Sequence, residues 1–249
     1  MLYYKMVIKV KEKYGDLLIL HSNKEDGNMA KKFGEDADTN RRRFIAKLGL
    51  NVERFLFMQP NNSDVIVELK EDVLTEENLY YKLIEADAIV SRYPNVFIYL
   101  SFADCIPFTI YDQKQNIFAF AHLGWRSTYL NLHQKLFQLF IETYHSNKED
   151  LMIHIGPCIK KESYLLPNLE QKDNLAWKPY ITFVTENLYS IDLRGYVVDF
   201  FKEQQVKQIH ISDIDTGSNL NYFSHYRSTH TDEIEGRFFC SVGMLEKES

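Results

Sequence analysis

A chain of 249 residues with 45% hydrophobic residues can bury a sizeable core, and it is short enough to predict a single domain over residues 1–249. Its 29 basic and 35 acidic side chains give a formal net charge of −6 without long blocks of one sign, which argues against nucleic acid or an anionic membrane as a partner. Three cysteines without a closely spaced pair argue against a disulfide framework, and the lack of a signal-peptide pattern or a membrane-spanning apolar run predicts a cytoplasmic protein.

The first hundred residues are predicted to form several strands and one helix. Residues 2–10 and 16–21 read as an opening hairpin. Thr39 is predicted to cap a helix that contains three consecutive arginines and ends at Gly49. Because helical residues are spaced about 100° apart, at least one of these arginines, such as Arg41, should turn toward protein or ligand. Further strands are predicted at residues 54–58, 64–69, 86–91 and 96–101.

The central hairpin is predicted to carry the chemistry. Residues 107–111 and 117–121 are apolar runs rich in β-branched and aromatic side chains, and a polar cluster separates them. A turn centred at residues 113–114 would place Cys105 opposite His122 in an antiparallel pair. Side chains directly opposed on one face lie roughly 5 Å apart, close enough for a thiol and an imidazole to share a proton or a metal ion.

Other polar groups gather at the same end of this hairpin. Asp104 precedes Cys105, and Arg126 follows His122 after a short Gly-Trp segment. Taken singly, a free Cys or a strand-end His is more often structural. A carboxylate, a thiol, an imidazole and a guanidinium together are costly to bury without purpose, so we predict a functional site here. Arg126 is expected either to bind phosphate or carboxylate beside a helix start or to pair with Asp104.

The second half of the chain is predicted to alternate helices and strands. Ser127 or Thr128 is expected to cap a helix with an apolar stripe up to residue 140, and Asp192 is expected to cap another. Residues 222–236 are aromatic, basic and polar, which favours a surface loop over a binding loop. Strands are predicted at residues 151–155, 208–212 and 238–242.

Motifs spread along nearly the whole chain resemble those of one known family. They are GNM at residues 27–29, Asn40 with Arg41, Gln59, ADA at 86–88, ADC-x-P from Ala103, AH-x-GWR from Ala121, IGPCI at 155–159, FSH-x-R at 223–227 and Gly236 with Arg237. Together they resemble the YfiH-type family, also called the laccase-domain or polyphenol oxidoreductase family. The resemblance implies an α+β fold, a single α/β/β/α layered sandwich with mixed β-sheets.

The resemblance also implies an activity. It predicts a purine nucleoside phosphorylase that cleaves the N-glycosidic bond of inosine, adenosine or methylthioadenosine with phosphate, with accessory adenosine deaminase activity. A purine nucleoside and phosphate would then be the small-molecule partners. The implied catalytic residues are Cys105, His122, Arg126 and Asp104, and the implied substrate-binding residues are Arg41, Gln59, Arg227 and Arg237.

A zinc site is implied in addition. Cys105 and His122 fall on two ligand positions of the family, and Asn61 falls on the third, where the family has His. An amide oxygen is a weaker zinc ligand than an imidazole nitrogen, which makes zinc doubtful. Copper is disfavoured because one Cys and scattered His cannot furnish the ligand sets that several coppers need.

Three alternative functions stay open. A metal-free Cys/His hydrolase or peptidoglycan editing factor would use Cys105 as a thiolate activated by His122. A laccase-like polyphenol oxidase would need the disfavoured copper. A catalytically impaired binding protein would explain why this chain departs from the family pattern at Asn61, Leu165 and Ser228.

Overall fold

The computed structural model describes residues 11–246, apart from the side chains of residues 170 and 171. In chain order its strands are β1 Lys11–Tyr14, β2 Leu17–His21, β3 Phe55–Gln59, β4 Ile66–Glu68, β5 Leu83–Glu85, β6 Ala88–Ser91, β7 Phe97–Phe102, β8 Ile106–Asp112, β9 Ile117–Leu123, β10 Leu151–Ile155, β11 Leu165–Leu166, β12 Ile181–Thr185, β13 Leu188–Ile191, β14 Gln208–Ile211 and β15 Phe238–Met244. Its α-helices are α1 Ala37–Lys47, α2 Trp125–Tyr129, α3 Leu132–Gln138, α4 Leu193–Glu203 and α5 His225–His230. Across this part of the chain, none of the helices has the length and apolar character needed to cross a bilayer. The strand predicted at residues 2–10 lies outside the described residues.

Within residues 11–246, two six-stranded sheets form the centre of the fold. Sheet A has the order β1-β2-β15-β7-β3-β5, and sheet B has the order β14-β10-β8-β9-β6-β4. Each sheet combines antiparallel pairs with parallel ones, such as β3 with β7 in sheet A and β10 with β14 in sheet B. A third sheet of three strands, β11-β13-β12, is not hydrogen-bonded to either.

Alternation along the strands divides the core into layers. In β7, Ile98 and Leu100 belong to the apolar cluster between the two sheets, whereas Phe97 and Tyr99 belong to the cluster beneath α1, as the two-residue period of a strand requires. A third cluster joins the outer face of sheet B to α3 and α4. The layers are therefore helix, sheet A, sheet B and helices, which confirms the predicted α/β/β/α sandwich.

Helix α1 begins earlier than the sequence predicted. Its first residue is Ala37, with Asp36 in the N-cap position, so the prediction that Thr39 caps this helix is wrong. The N–H of Asn40 already donates to the carbonyl of Asp36, at 2.9 Å, which places Thr39 inside the first turn. The helix ends as predicted before Gly49, whose φ of 72° suits a glycine after a helix.

The helix predicted from residue 127 to residue 140 is in fact interrupted. Helix α2 starts after Gly124, and Asn131, with a left-handed φ of 59°, separates it from α3. Ser127 does not occupy the N-cap position; its hydroxyl accepts from the Gly124 N–H at 3.0 Å and donates to the His122 carbonyl at 2.8 Å. These bonds fasten the start of α2 to the end of β9.

Candidate active site

The register of the β8–β9 hairpin differs from the predicted one by two residues. Pro107, not Cys105, lies opposite His122. The loop is longer because the Asp112 carboxylate accepts hydrogen bonds from two backbone N–H groups of the turn, at 2.9 and 2.8 Å, and Asn116 takes a left-handed φ of 54°. A shift of two residues keeps every side chain on its face, so Cys105 remains on the same side as His122.

Cys105 and His122 meet beside Gly124. A Cβ atom added to Gly124 would lie 3.2 Å from Cys105 Sγ, 3.3 Å from His122 Cε1 and 3.6 Å from His122 Nε2. Both side chains therefore converge on the space that a glycine leaves open. Nε2 is the imidazole nitrogen on the side of the thiol.

Asp87 holds the other nitrogen of this imidazole. Its buried carboxylate places Oδ1 at 3.4 Å from His122 Nδ1, and its carbonyl accepts from the His122 N–H at 2.8 Å. The other carboxylate oxygen accepts from the hydroxyl and N–H of Ser63, at 2.6 and 2.8 Å, and from the N–H of Asn61, at 3.3 Å. Cys105, His122 and Asp87 thus form a thiol–imidazole–carboxylate centre, in which the imidazole lies between the other two side chains.

The ionisable groups of this centre shift one another's pKa toward the charged form. Burial raises the pKa of Asp87, but hydrogen bonds from His122 and Ser63 outweigh burial, and the pKa is lowered. Burial lowers the pKa of His122, but the charge of Cys105 and the hydrogen bond with Asp87 outweigh it, and the pKa is raised to about 9. The imidazole can therefore hold a proton at neutral pH between two acidic groups.

Asp104 positions the chain around the site. It is buried and has a left-handed φ of 76°, uncommon for a residue other than glycine. Its carboxylate accepts hydrogen bonds from Thr216 Oγ1 at 2.7 Å, Ser224 Oγ at 3.0 Å and the Tyr226 N–H at 2.6 Å. These partners, rather than Arg126, satisfy Asp104, and they fasten α5 to the residue that precedes Cys105.

A cavity of about 320 Å³ opens beside Cys105, with Trp125, Tyr164, Tyr226 and His230 in its walls. The rings of Tyr164 and Tyr226 meet edge to face, with centroids 5.8 Å apart, and His230 stacks on Tyr226 at 4.2 Å. The volume lies within the range of small-molecule sites. Aromatic walls suit a flat, unsaturated ring system.

Arg126 is exposed at the edge of this region. Its guanidinium lies over the ring of Trp125, 5.4 Å from the centroid, and makes no hydrogen bond to any residue from 11 to 246. Four arginines were predicted to lie in the site: Arg41, Arg126, Arg227 and Arg237. Within residues 11–246, Arg126 alone among these four makes no hydrogen bond through its guanidinium, which is therefore free to bind an anion.

Arg41 lies elsewhere, in a cleft of about 440 Å³ on the outer face of sheet A. It is buried, and its N–H groups donate to the Tyr80 hydroxyl at 3.0 Å, the Met29 carbonyl at 2.6 Å and the Asp38 carboxylate at 3.3 Å. The structure thus places Arg41 apart from Cys105, in contacts that support the fold.

Arg227 and Arg237 are also engaged with protein groups. Arg227 pairs with Glu233 and donates to the Thr216 carbonyl at 2.5 Å. Arg237 pairs with Glu235 at 3.0 Å. Their guanidinium groups hold the segments around α5 rather than the cavity.

The residues present do not fit a zinc or copper centre. Asn61 is exposed, and only its backbone N–H contacts the site, through Asp87. Gln59 ends β3, and its side chain makes no hydrogen bond to the described residues. Within residues 11–246, no three His, Cys, Asp or Glu side chains are placed so that they could hold a metal ion. Cys105 and His122 therefore lack a third strong donor.

The sequence missed several of these residues. Asp87 is the acidic residue of the ADA motif at 86–88 and stands at the start of an apolar run, and these were the available signals for it. Trp125 lies in the AH-x-GWR motif and Tyr226 in the FSH-x-R segment, but the sequence does not show that they share a cavity with Tyr164, because it does not reveal which distant segments meet.

Comparisons with known proteins identify similar chains. The model of the family described as multi-copper polyphenol oxidoreductase laccase matches residues 22–245. The chain is 27% identical over 176 residues to a Bacillus subtilis protein named purine nucleoside phosphorylase YlmD. The matched residues make up 67% of this chain and 62% of YlmD, so the match spans less than two thirds of YlmD. It is 26% identical over 203 residues to purine nucleoside phosphorylase CA_C1699 of Clostridium acetobutylicum, 77% of this chain and 78% of that one.

Solved structures share the fold. The hypothetical protein YfiH of Bacillus licheniformis superposes with a TM-score of 0.79 at 22% identity, over 94% of this chain and 95% of that one. YlmD from Geobacillus stearothermophilus gives a TM-score of 0.76 at 20% identity, over 92% of each chain. At these identities the likeness concerns the fold.

Proposed function

The chain belongs to the multi-copper polyphenol oxidoreductase laccase family, and on that premise we propose that it is a purine nucleoside phosphorylase. The observation that carries the proposal is the aromatic cavity of about 320 Å³ that opens beside Cys105. A purine can lie against its rings while the sugar approaches the thiol. The names of the relatives support the reaction, and the fit of a flat base supports the substrate class.

Phosphorolysis breaks the bond between C1′ of the sugar and N9 of the purine, and a phosphate oxygen then bonds C1′. The departing purine takes up a proton. We assign the delivery of this proton to Cys105, which lines the cavity and can be reprotonated by Nε2 of His122. Arg126 has the free guanidinium that could hold the phosphate in place. No step of this mechanism passes through a metal ion.

The proposed substrates are inosine, adenosine and methylthioadenosine. Purified protein is incubated with each nucleoside and phosphate, and the free base and the pentose phosphate are separated by chromatography. We expect both products with the parent protein and with Cys240→Ala, a change at a buried cysteine of β15. Cys105→Ala should abolish them. If the parent forms no more product than Cys105→Ala, the proposal fails and a binding protein becomes the better explanation.

Adenosine deamination is the finer part of the proposal. In the same chromatogram it would be seen as inosine or hypoxanthine formed from adenosine. If adenine is the sole purine product from adenosine, the deaminase part is wrong and phosphorolysis stands.

The Cys105–His122–Asp87 centre also supports a second candidate function, that of a hydrolase with Cys105 as nucleophile. Such an enzyme would release base without phosphate or act on another carbonyl or glycosyl substrate. Repeating the incubation without phosphate separates the two functions. Undiminished release of base together with free ribose would favour hydrolysis, and loss of the reaction would favour phosphorolysis.

A further inference from the structure

We propose that the site works without a resident metal ion, as a thiol–imidazole–carboxylate centre formed by Cys105, His122 and Asp87. The proposal deepens the proposed function, on which it rests for its activity readout alone. A metal-free centre in this chain would differ from the zinc site that the family resemblance implies.

The first argument is the number of donors on the thiol side of the imidazole. A metal ion held by Cys105 Sγ and His122 Nε2 needs at least a third protein ligand. Asp87 faces Nδ1, the nitrogen turned away from the thiol, and so is not that ligand. A carboxylate at Nδ1 is found beside metal-bound and metal-free histidines alike. The number of available protein ligands therefore decides whether the site fits a metal ion.

The two histidines that line the cavity beside Cys105 do not supply the third ligand. His225 places Nδ1 at 2.7 Å from Glu235 Oε1, and His230 places Nδ1 at 2.7 Å from the Tyr226 carbonyl. These bonds engage Nδ1 alone, so the deciding observation is that, among the described residues, no three His, Cys, Asp or Glu side chains are placed to hold a metal ion together.

Asn61 is the remaining candidate, and its chemistry is unsuitable. Its backbone N–H lies 3.3 Å from Asp87 Oδ2, so residue 61 is one contact away from His122. Its side chain is an exposed amide, a weak donor to zinc. Residue 61 thus adjoins the carboxylate that holds His122, and its side chain offers no strong donor for zinc.

The arrangement instead suits proton transfer between the thiol and the imidazole. Asp87 is fixed by three hydrogen bonds from Ser63 and Asn61, and Gly124 leaves the space in which Sγ and Nε2 converge. Each side chain therefore has a defined orientation without a metal ion to organise it.

The experiment compares the parent chain with Asn61→His. Zinc content is measured by mass spectrometry after zinc loading and gel filtration, and melting temperature is measured with and without zinc. We expect the parent to retain far less than one zinc per chain and to show no zinc-dependent shift. Asn61→His should bind zinc at least about 10-fold more tightly, with a zinc-dependent rise on the order of 5 °C.

Asn62→His is the matched control, because it adds an imidazole at the next exposed position and should leave zinc binding unchanged. The parent's phosphorolysis should also survive treatment with a chelator. One zinc per chain in the parent, lost in Cys105→Ala, would overturn the proposal. The metal content and melting data decide it even if the parent cleaves no nucleoside, so its failure is distinct from that of the proposed function.

Discussion

The approach of Cys105 to His122 depends on the absence of a side chain at Gly124. Its φ of −80° is accessible to any residue, so the cost of a substitution comes from contact alone. A Cβ at 3.2 Å from Sγ and 3.3 Å from Cε1 is closer than ordinary van der Waals contact. We expect Gly124→Ala to separate the thiol from the imidazole and to lower kcat/KM at least about 10-fold.

Kinetics with inosine and phosphate measure this effect. Circular dichroism and the melting temperature serve as controls, since the fold should be retained. Unchanged kcat/KM in a folded Gly124→Ala protein would show that the close approach of the two side chains is not needed.

Asp104 has a different role, which a stability measurement can detect. An amide at this position keeps one acceptor oxygen but turns an NH₂ group toward donors that the carboxylate now satisfies. Leaving buried donors unpaired costs about 1–3 kcal/mol, so Asp104→Asn should lower the free energy of unfolding by that amount in urea titrations. Asp213→Asn, at an exposed carboxylate, is the control and should change little. Equal stability of both variants would contradict the positioning role.

At the scale of residues, sequence patterns predicted contacts between residues that are close along the chain. Two apolar runs around a polar turn were enough to bring Cys105 and His122 to one hairpin end. Asp87 reaches His122 because β6 pairs with β9, with Ala88 opposite Ala121, and this nonlocal pairing leaves no mark in the period of either strand. Arg41 and Arg227 donate in part to backbone carbonyls of other segments, those of Met29 and Thr216, which sequence patterns do not reveal.

Among the elements, α3 contains a polar side chain that its surroundings do not satisfy. His133 is fully buried, and neither ring nitrogen has a hydrogen-bond partner among the described residues. Its ring meets Tyr196 and Phe200 edge to face, with centroids 5.5 and 5.4 Å away. Burial lowers its pKa to about 3.

We expect His133→Phe to stabilise the protein by about 1 kcal/mol at neutral pH, because an unpaired buried polar group is removed and the aromatic contacts are kept. The gain should grow below pH 6.5, since protonation of the unfolded histidine no longer favours unfolding. Urea unfolding at pH 7 and pH 5 measures both effects. His145→Asn, at an exposed histidine whose left-handed φ of 53° asparagine adopts readily, should show neither, and a destabilised His133→Phe would indicate that the imidazole has a necessary partner.

Elements were predictable where one signal fixed them. Helix α4 was predicted because Asp192 caps it, and the cap is present as a 2.7 Å hydrogen bond from the Gly195 N–H. The helix after Ser127 was predicted as continuous because an apolar stripe does not reveal the left-handed turn at Asn131. Strand β11 escaped prediction because it has two residues, and β12, which pairs with β13, because it is mostly exposed.

For the whole molecule, the layered sandwich followed from the family motifs, whereas the contacts between its two sheets did not. At one edge a polar group interrupts the apolar interface. Glu12 of β1 accepts from Tyr14 at 2.5 Å and lies 3.3 Å from His154 of β10, and the ring of Tyr14 packs on His210 at 4.5 Å. The hydrogen bond from His154 is the largest cause that lowers the pKa of Glu12 to about 2, so this edge is held by an ionised carboxylate.

His21 of β2 lies near this edge and makes the stability of the whole molecule depend on pH. It is buried, with Nδ1 at 3.1 Å from the Tyr222 hydroxyl, and burial lowers its pKa from 6.5 to about 4. A lowered folded-state pKa means that the contribution to stability is complete above pH 6.5 and is lost as the pH falls toward 4. Each such histidine contributes a slope approaching about 1.4 kcal/mol per pH unit.

We therefore expect the free energy of unfolding to fall between pH 6.5 and pH 5, a window above the unfolded pKa of Glu12, which is 4.5. His133 contributes in the same direction, so His21→Gln should reduce the slope rather than abolish it, and His21→Gln combined with His133→Phe should flatten it further. Urea titrations at half-unit pH intervals measure the slope. A His21→Gln slope equal to that of the parent would show that His21 takes up its proton equally in the folded and unfolded states, and that the buried environment at this sheet edge does not oppose its charge.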